Sequence, residues 1–227
     1  MCIAAGTNLM KVTESLPAEH VTVFEPLANA VNWVSTAGVR AGDTVVVQGP
    51  GHVGLMCIIA ARMAGASCVI ATGTSADALR LEAARIAGAD HVINVDKEDV
   101  VQRVKEITNS WGARVVMDIT SMSTVAVQQA FELVMFGGTV LLAGLKNGAP
   151  SQIVTDKIVL NALTVRGGAG STEQSMQTAV KYLNEGHVPT EALLGEVLSL
   201  DQFDEALLLL KRQHPQREAI RVTIKHC

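Results

Sequence analysis

Residues Gly49-Pro50-Gly51-His52-Val53-Gly54 carry three glycines at the spacing G-x-G-x-x-G. That spacing suits the holding of an anion. Gly49 permits a tight turn. Gly51 lacks a Cβ and lets backbone N–H groups approach a pyrophosphate. Gly54 lets a following helix pack close to the preceding strand. The N-terminus of such a helix faces the anion with free N–H donors and a partial positive charge. His52 would stand in the first helical turn, where it could lend a donor to a phosphate; it is not placed as a general base. Gly49, Gly51, His52, Val53 and Gly54 are thus candidate residues for the phosphates of a dinucleotide. An ordinary glycine-rich turn between strand and helix is the competing reading.

A second candidate lies at Gly73, eight residues beyond Gly65. It is the position where a site for NAD carries Asp or Glu to bind the ribose 2′-hydroxyl. Gly73-Thr74-Ser75 instead offers small hydroxyl groups and no repulsive charge. Arg80 follows one or two helical turns on and could reach a 2′-phosphate, which tilts the choice between NAD and NADP toward NADP. In the competing reading Arg80 is a solvated helix charge and Asp77 serves the adenosine ribose from a longer loop.

The elements that must position these residues alternate. The aliphatic run 44–48 precedes the glycine turn, and an apolar helical stretch runs to about residue 64. Strands are expected at 67–71, 91–94, 114–118, 138–142 and 163–166. Helices are expected at 76–87, 97–109, 123–135 and 155–161. Strands separated by helical stretches argue for a parallel sheet covered on both faces. The reading is an α/β fold of the Rossmann type, a doubly wound parallel sheet of about six strands. Ahead of it, 9–12 reads as a short strand and 24–38 as a helix closed by Gly38. Beyond it, 171–184 reads as a helix and 195–200 as extended. Residues 201–211 read as a helix capped by Asp201, and 219–224 as a closing strand.

Composition agrees. Of 227 residues 48% are hydrophobic but only 3% aromatic, so Val, Ala, Leu and Ile must fill the core, as in strands buried on both faces. The net charge of −4 and the lack of a basic tract give no reason to expect nucleic acid or an anionic membrane as partner. No apolar run is long enough to span a bilayer. No signal peptide is evident, so the cytoplasm is the expected location. The four cysteines, Cys2, Cys57, Cys68 and Cys227, contain no C-x-x-C pair and suggest neither a zinc lobe nor a disulfide framework. His226-Cys227 lacks recognisable partner ligands.

Several segments together resemble one family. They are Phe24-Glu25-Pro26-Leu27-Ala28, the stretch Ala37 to Val47, the turn Gly49 to Gly54, Gly88 to Asn94, Gly137-Gly138-Thr139-Val140 with Ala143-Gly144, and Ile220-Arg221-Val222. In order and spacing they resemble the cofactor-binding half of the medium-chain dehydrogenase/reductase superfamily, which includes zinc alcohol and polyol dehydrogenases. The resemblance implies NAD(P)-dependent interconversion of an alcohol with a carbonyl compound. It implies that Ile119 and Thr120 end a strand near the adenine-side ribose. It also implies that the backbone at Ala143 and Gly144 and the loop at Gly168 meet the nicotinamide, and that Arg221 reaches the pyrophosphate. In polyol-dehydrogenase-like members a Glu-Pro motif places a carboxylate at or near the catalytic zinc, which makes Glu25 a metal candidate. The remaining ligands of that zinc come from an N-terminal domain that this sequence does not contain, so zinc belongs to an intact parent and is not expected here.

The expected organisation is residues 1–24 as a remnant of the catalytic domain, 25–170 as the dinucleotide-binding domain, and 171–227 as closing elements packed on it. The expected partners are a nicotinamide dinucleotide, a small alcohol or carbonyl substrate in the parent enzyme, and a second copy of the chain, paired through edge strands near residues 140 and 164. A dinucleotide-binding module without catalysis is the alternative, because a truncated gene or misplaced start would leave the catalytic half out. A short-chain dehydrogenase would need Tyr-x-x-x-Lys, and the single tyrosine, Tyr182, is followed four residues later by Gly186. A methyltransferase would usually carry an acidic residue where Gly73 stands.

Overall fold

A computed structural model describes residues 9–193 and 195–225. Six strands form one parallel sheet: β1 (Thr44–Gln48), β2 (Cys68–Gly73), β3 (His91–Asn94), β4 (Ala113–Asp118), β5 (Val134–Leu142) and β6 (Thr164–Gly167). Their order is β3-β2-β1-β4-β5-β6. The chain therefore reverses its direction of growth between β1 and β4, and a crevice opens at the carboxyl ends there.

Ten helices complete the described chain: α1 (Ala18–Val21), α2 (Phe24–Ala37), α3 (His52–Met63), α4 (Ala78–Ile86), α5 (Val100–Ile107), α6 (Thr124–Leu133), α7 (Thr155–Leu160), α8 (Glu173–Asn184), α9 (Thr190–Leu193) and α10 (Phe203–Leu210). The pleat of the sheet sorts them into two layers. Val45 and Val47 of β1, with Val115 and Met117 of β4, pack into one core with residues of α2, α3, α4 and α8. Val46 and Val116 point the other way and meet Val104 of α5 and Val127 and Phe131 of α6. The doubly wound sheet is thus present with helices on both faces. A second, two-stranded parallel sheet pairs β7 (Glu196–Ser199) with β8 (Val222–Lys225) and shares a small core with α10.

Several sequence expectations differ from the structure. Residues 9–12 form no strand. Asp201 does not cap a helix; Ser199 and Gln202 make a reciprocal capping box on a 3₁₀ turn that leads into α10. The closing strand begins at Val222; Ala219 is irregular and buried in the small core beside α10, and Ile220 makes a bend ahead of the strand. The strand near residue 140 is β5, which has β4 on one side and β6 on the other, so of the two strands expected at an edge β6 alone lies at one; the other edge of the sheet is β3. His226 and Cys227 lie outside the described residues, as does Cys2.

Candidate functional site

The glycine turn falls between β1 and α3. Its three glycines have three different physical reasons. Gly49 holds a left-handed φ of +94°, which a side chain would strain. At Gly54 a Cβ would overlap the Gly49 carbonyl oxygen and stand 3.8 Å from Val47 of β1. At Gly51 the backbone is ordinary, φ −70° and ψ 178°, and no atom lies within 4 Å of where a Cβ would stand. Neither strain nor packing demands a glycine there. A Cβ on Gly51 would occupy open space in front of α3. Gly51 is also the residue that caps α3, and no side chain satisfies the first N–H groups of that helix. A helix start with uncapped N–H groups attracts an anion.

A cavity of about 600 Å³ opens at this place. Its wall is drawn from the carboxyl ends of β1, β2, β4 and β5, and its size suits a cofactor. Of the residues singled out in the sequence, Gly49, Gly51, His52, Val53, Gly54, Gly73, Thr74, Ile119, Thr120, Ala143 and Gly144 all line it.

Four others do not line the cavity. Ser75 is turned to β3, where its Oγ donates to Asn94 Oδ1 at 3.3 Å and its N–H donates to Asp96 at 2.7 Å. Arg80 is 7% exposed and is no solvated helix charge. It donates to the Ala219 carbonyl at 3.2 Å and faces Asp77 and Glu218 at 3.6 Å each. Gly168 supports the wall from behind: a Cβ there would press on Ala143 and Trp33, both of which line the cavity. Arg221 donates to the Thr22 carbonyl.

His52, Arg221 and Glu25 come together in charge terms. His52 is exposed, but the atoms crowded around its ring desolvate it enough to lower the imidazole below its ordinary value, with Arg221 adding to the effect and Glu25 opposing it. Burial likewise lowers Arg221, and Glu25 opposes this too. The neutral imidazole is therefore the form held at pH 7, and it can donate one N–H.

At the β2 end, Gly73 is glycine for a reason of packing. A Cβ would stand 2.9 Å from Pro50 Cγ and 3.2 Å from Asp77 Cβ. Asp77 closes this corner. Its Oδ2 accepts from Thr74 N–H at 3.0 Å and Thr74 Oγ1 at 2.7 Å, and its Oδ1 accepts from Arg212 Nη2 at 2.6 Å. Burial opposes ionisation of Asp77, but these bonds outweigh it and hold its carboxyl below the usual range.

At the β4 and β5 end, Asp118 is fully buried and pairs with Lys146 Nζ at 2.8 Å. Thr120 donates to Asp118 from its N–H at 3.0 Å and its Oγ1 at 2.5 Å. Lys146 donates in turn to Thr120 Oγ1 at 3.0 Å. Gly144 is pressed so close that a Cβ would overlap the Thr120 carbonyl oxygen. The two loops are thus locked together as one wall.

The sequence reading missed Trp33, Gln48, Thr72, Val95, Arg212 and the α6 face through Gln129 as wall residues. Gln48 and Thr72 adjoin chosen residues and could have been added by adjacency. Trp33 and Arg212 arrive from distant elements and carried no local signal.

The metal reading is different. Among the described residues no three His, Cys, Asp or Glu side chains converge to hold an ion. Glu25 is exposed and its Oε1 accepts from Asn29 at 2.6 Å. A catalytic zinc takes three protein ligands, so the described residues do not make up its shell.

Comparison with known proteins gives a consistent family. The family model described as zinc-binding dehydrogenase matches residues 53–185. The chain is 33% identical over 211 residues to the L-threonine 3-dehydrogenase of Pyrococcus abyssi, covering 92% of this chain and 60% of that one. It is 30% identical over 196 residues to the sorbitol dehydrogenase of Bacillus subtilis, covering 86% of this chain and 54% of that one. Among solved structures, the alcohol dehydrogenase TADH from Thermus sp. ATN1 superposes with a TM-score of 0.84 at 26% identity, over 95% of this chain and 62% of that one. The chain thus spans about three fifths of the length of such relatives.

Proposed function

The chain belongs to the zinc-binding dehydrogenase family, and from that premise we propose that it is the cofactor-binding part of an NAD(P)-dependent oxidoreductase that interconverts a small alcohol or polyol and its carbonyl compound. The observation that carries the reading is Gly51, a glycine with ordinary dihedrals and open space in front of it, at the uncapped start of α3. Neither backbone strain nor packing calls for the Cβ to be missing there, and glycine's modest merit as a helix cap does not require the open space in front of it.

In this reading the turn Gly49 to Gly54 and the first N–H groups of α3 hold the pyrophosphate, with His52 as a neutral donor beside it. Gly73, Thr74 and the Asp77 corner take the adenosine ribose. Ile119, Thr120, Ala143 and Gly144 form the wall toward the nicotinamide, and Gly168 and Trp33 back that wall. When bound, the nicotinamide supplies the hydride chemistry; the residues of this chain bind it, orient it and exclude water. Arg221 is a second-rank contact, close enough to lower the His52 imidazole. Ser75 and Arg80 support the corner through their bonds to Asn94 and Ala219. Glu25 would serve a metal only beside ligands from outside the described residues.

Two further parts belong to the proposal. The chain pairs with a second copy through β6, the sheet edge whose four residues are all exposed. Val154, Val159 and Leu160, more than 60% exposed, lie in and before α7. An exposed strand edge beside such an apolar patch favours pairing. The location is the cytoplasm, supported by the free thiols of Cys57 and Cys68. No described helix is long and apolar enough to cross a membrane.

Calorimetric titration of the whole chain with NADH and with NADPH tests the cofactor assignment. Binding of at least one of them is expected, and Gly51→Val should abolish it. If neither binds, the assignment falls.

A further inference from the structure

The ribose corner contains four charged groups: Asp77, Arg80, Arg212 and Glu218. Arg80 and Glu218 lie within 3.6 Å of each other, and neither lines the cavity. Asp77 does line it, yet its carboxylate is spent internally. One oxygen takes both donors of Thr74, and the other takes Arg212. A carboxylate so engaged has little left with which to hold a ribose diol. The group that remains is the Arg212 guanidinium. It lines the cavity and its side chain is 42% exposed. A guanidinium has five N–H donors. Among the described residues Arg212 uses two of them, toward Asp77 Oδ1 at 2.6 Å and the Ala76 carbonyl at 3.4 Å.

The backbone of Arg212 makes the choice of residue unusual. It follows the last turn of α10 with a φ of +57°, and its N–H donates to the Leu209 carbonyl while Gln213 N–H donates to Leu208. This is the left-handed position after a helix that glycine normally fills. An arginine there strains the backbone for no gain to the helix end. Its side chain does reach the cavity, from a segment that follows the whole sheet.

We propose that Arg212 selects the cofactor by meeting a ribose 2′-phosphate, and that the site therefore prefers NADP over NAD. The inference rests on the cofactor reading above. It replaces Arg80 as the phosphate partner, because Arg80 is held by Ala219 and Glu218 and has no wall position. It also removes weight from Gly73, whose small size follows from Pro50. A phosphate dianion would share the guanidinium with Asp77 or draw it away. Either way a charge-assisted, fork-shaped contact results, the geometry in which arginine surpasses lysine.

The test is equilibrium binding of NADPH, NADH, 2′,5′-ADP and 5′-AMP to the whole chain and to two variants. Arg212→Gly suits the left-handed backbone, so the helix end keeps its form. Arg212→Lys keeps the charge and loses the fork. The wild-type chain should bind NADPH about tenfold to a hundredfold more tightly than NADH, and 2′,5′-ADP more tightly than 5′-AMP by a similar factor. Arg212→Gly should erase that advantage through lost NADPH affinity, with NADH affinity kept or raised because Asp77 is freed toward the ribose diol, and Arg212→Lys should retain part of it. If NADH binds as well as NADPH, or if Arg212→Gly keeps the preference, the inference fails while the cofactor reading stands. If neither dinucleotide binds, both fall. Circular dichroism of the variants separates lost recognition from lost folding: an unfolded Arg212→Gly would itself contradict the backbone argument, and the Lys variant would then decide the matter.

Discussion

Gly54 lies so close beneath Gly49 that a Cβ built on it would overlap the Gly49 carbonyl oxygen, whereas the same atom built on Gly51 would touch nothing. Two glycines three residues apart in one motif thus answer to different demands. Gly54 serves the packing of α3 against β1, and Gly51 leaves space. Gly54→Ala should destabilise the chain by about 1–3 kcal/mol, because the overlap is with backbone and nothing flexible can yield. Gly51→Ala should cost at most about 1 kcal/mol, the difference between these residues as helix caps, yet weaken dinucleotide binding by at least about tenfold. Urea denaturation and calorimetric titration of the two variants check the contrast. Equal losses of stability would undo it.

A second expectation concerns the Asp118–Lys146 pair behind the wall. Asp118 is fully buried and Lys146 nearly so, 2.8 Å apart, with Thr120 bonded to both. Removing one charge leaves the other desolvated and unpaired, which typically costs about 3–5 kcal/mol. Lys146→Met should therefore lower stability by that order. The double variant with Asp118→Asn should recover a good part, since no uncompensated charge remains. Urea unfolding of the three variants against the parent reads this. If the single variant loses less than about 1 kcal/mol, the pair is not what locks the Thr120 and Gly144 loops.

Much of the sheet was legible because its signals are local. Thr44–Gln48 and His91–Asn94 are short aliphatic runs closed by turn residues, and the structure begins and ends them where the sequence suggests. The edges of other elements shifted where tertiary packing decided. β5 starts at Val134, before the expected 138, because Ala113 pairs with Val134 and a bulge around Gly137 then re-registers the strand to Thr139. Met135 and Phe136 carry no sign of this. The cavity wall was legible at strand ends, where position in the strand–turn–helix pattern implies position in the crevice. It was not legible where a side chain crosses from far away. Arg212 meets Asp77 across 135 residues of chain, and nothing near Arg212 hints at the corner it completes. Arg80 misled for the converse reason. It is close in sequence to Gly73, but α4 turns it toward Ala219.

Acid should act partly through His52. In the folded chain partial desolvation and the nearby Arg221 push its imidazole below the ordinary 6.5, with Glu25 opposing, and because His52 is exposed the contribution is small. The unfolded chain, at the ordinary value, takes up a proton first. Above about pH 6.5 both states are neutral and the residue adds no pH dependence. As pH falls below that, the unfolded state binds more protons and stability declines, until the folded imidazole also protonates. His52→Gln should flatten this part of the curve. Urea denaturation at about pH 7, 6 and 5 compares the slopes. An unchanged slope in the variant would show that other groups carry the acid sensitivity.

The last expectation concerns the edge at β6. Its partner among the described residues is β5 alone, so one side of Thr164–Gly167 presents backbone N–H and C=O groups that no described strand pairs. Val165 is 41% exposed on it, and α7 next to it has no buried residue. Natural proteins keep such edges apart with charges, lysine above all; β6 carries one charge, Arg166, and is flanked by Leu163 and Gly168. In the proposed dimer two β6 strands lie side by side and bury this surface. Val165→Lys would then place two like charges in the junction and remove an apolar contact from each copy. Sedimentation equilibrium of the whole chain at micromolar concentration should find a dimer for the parent and a dissociation constant raised at least about tenfold for the variant. The fold should be unaffected, because Val165 leaves the core untouched and an exposed substitution usually shifts stability by no more than about 0.5 kcal/mol. A monomeric parent would overturn the pairing, and a variant that still dimerises would move the junction away from β6.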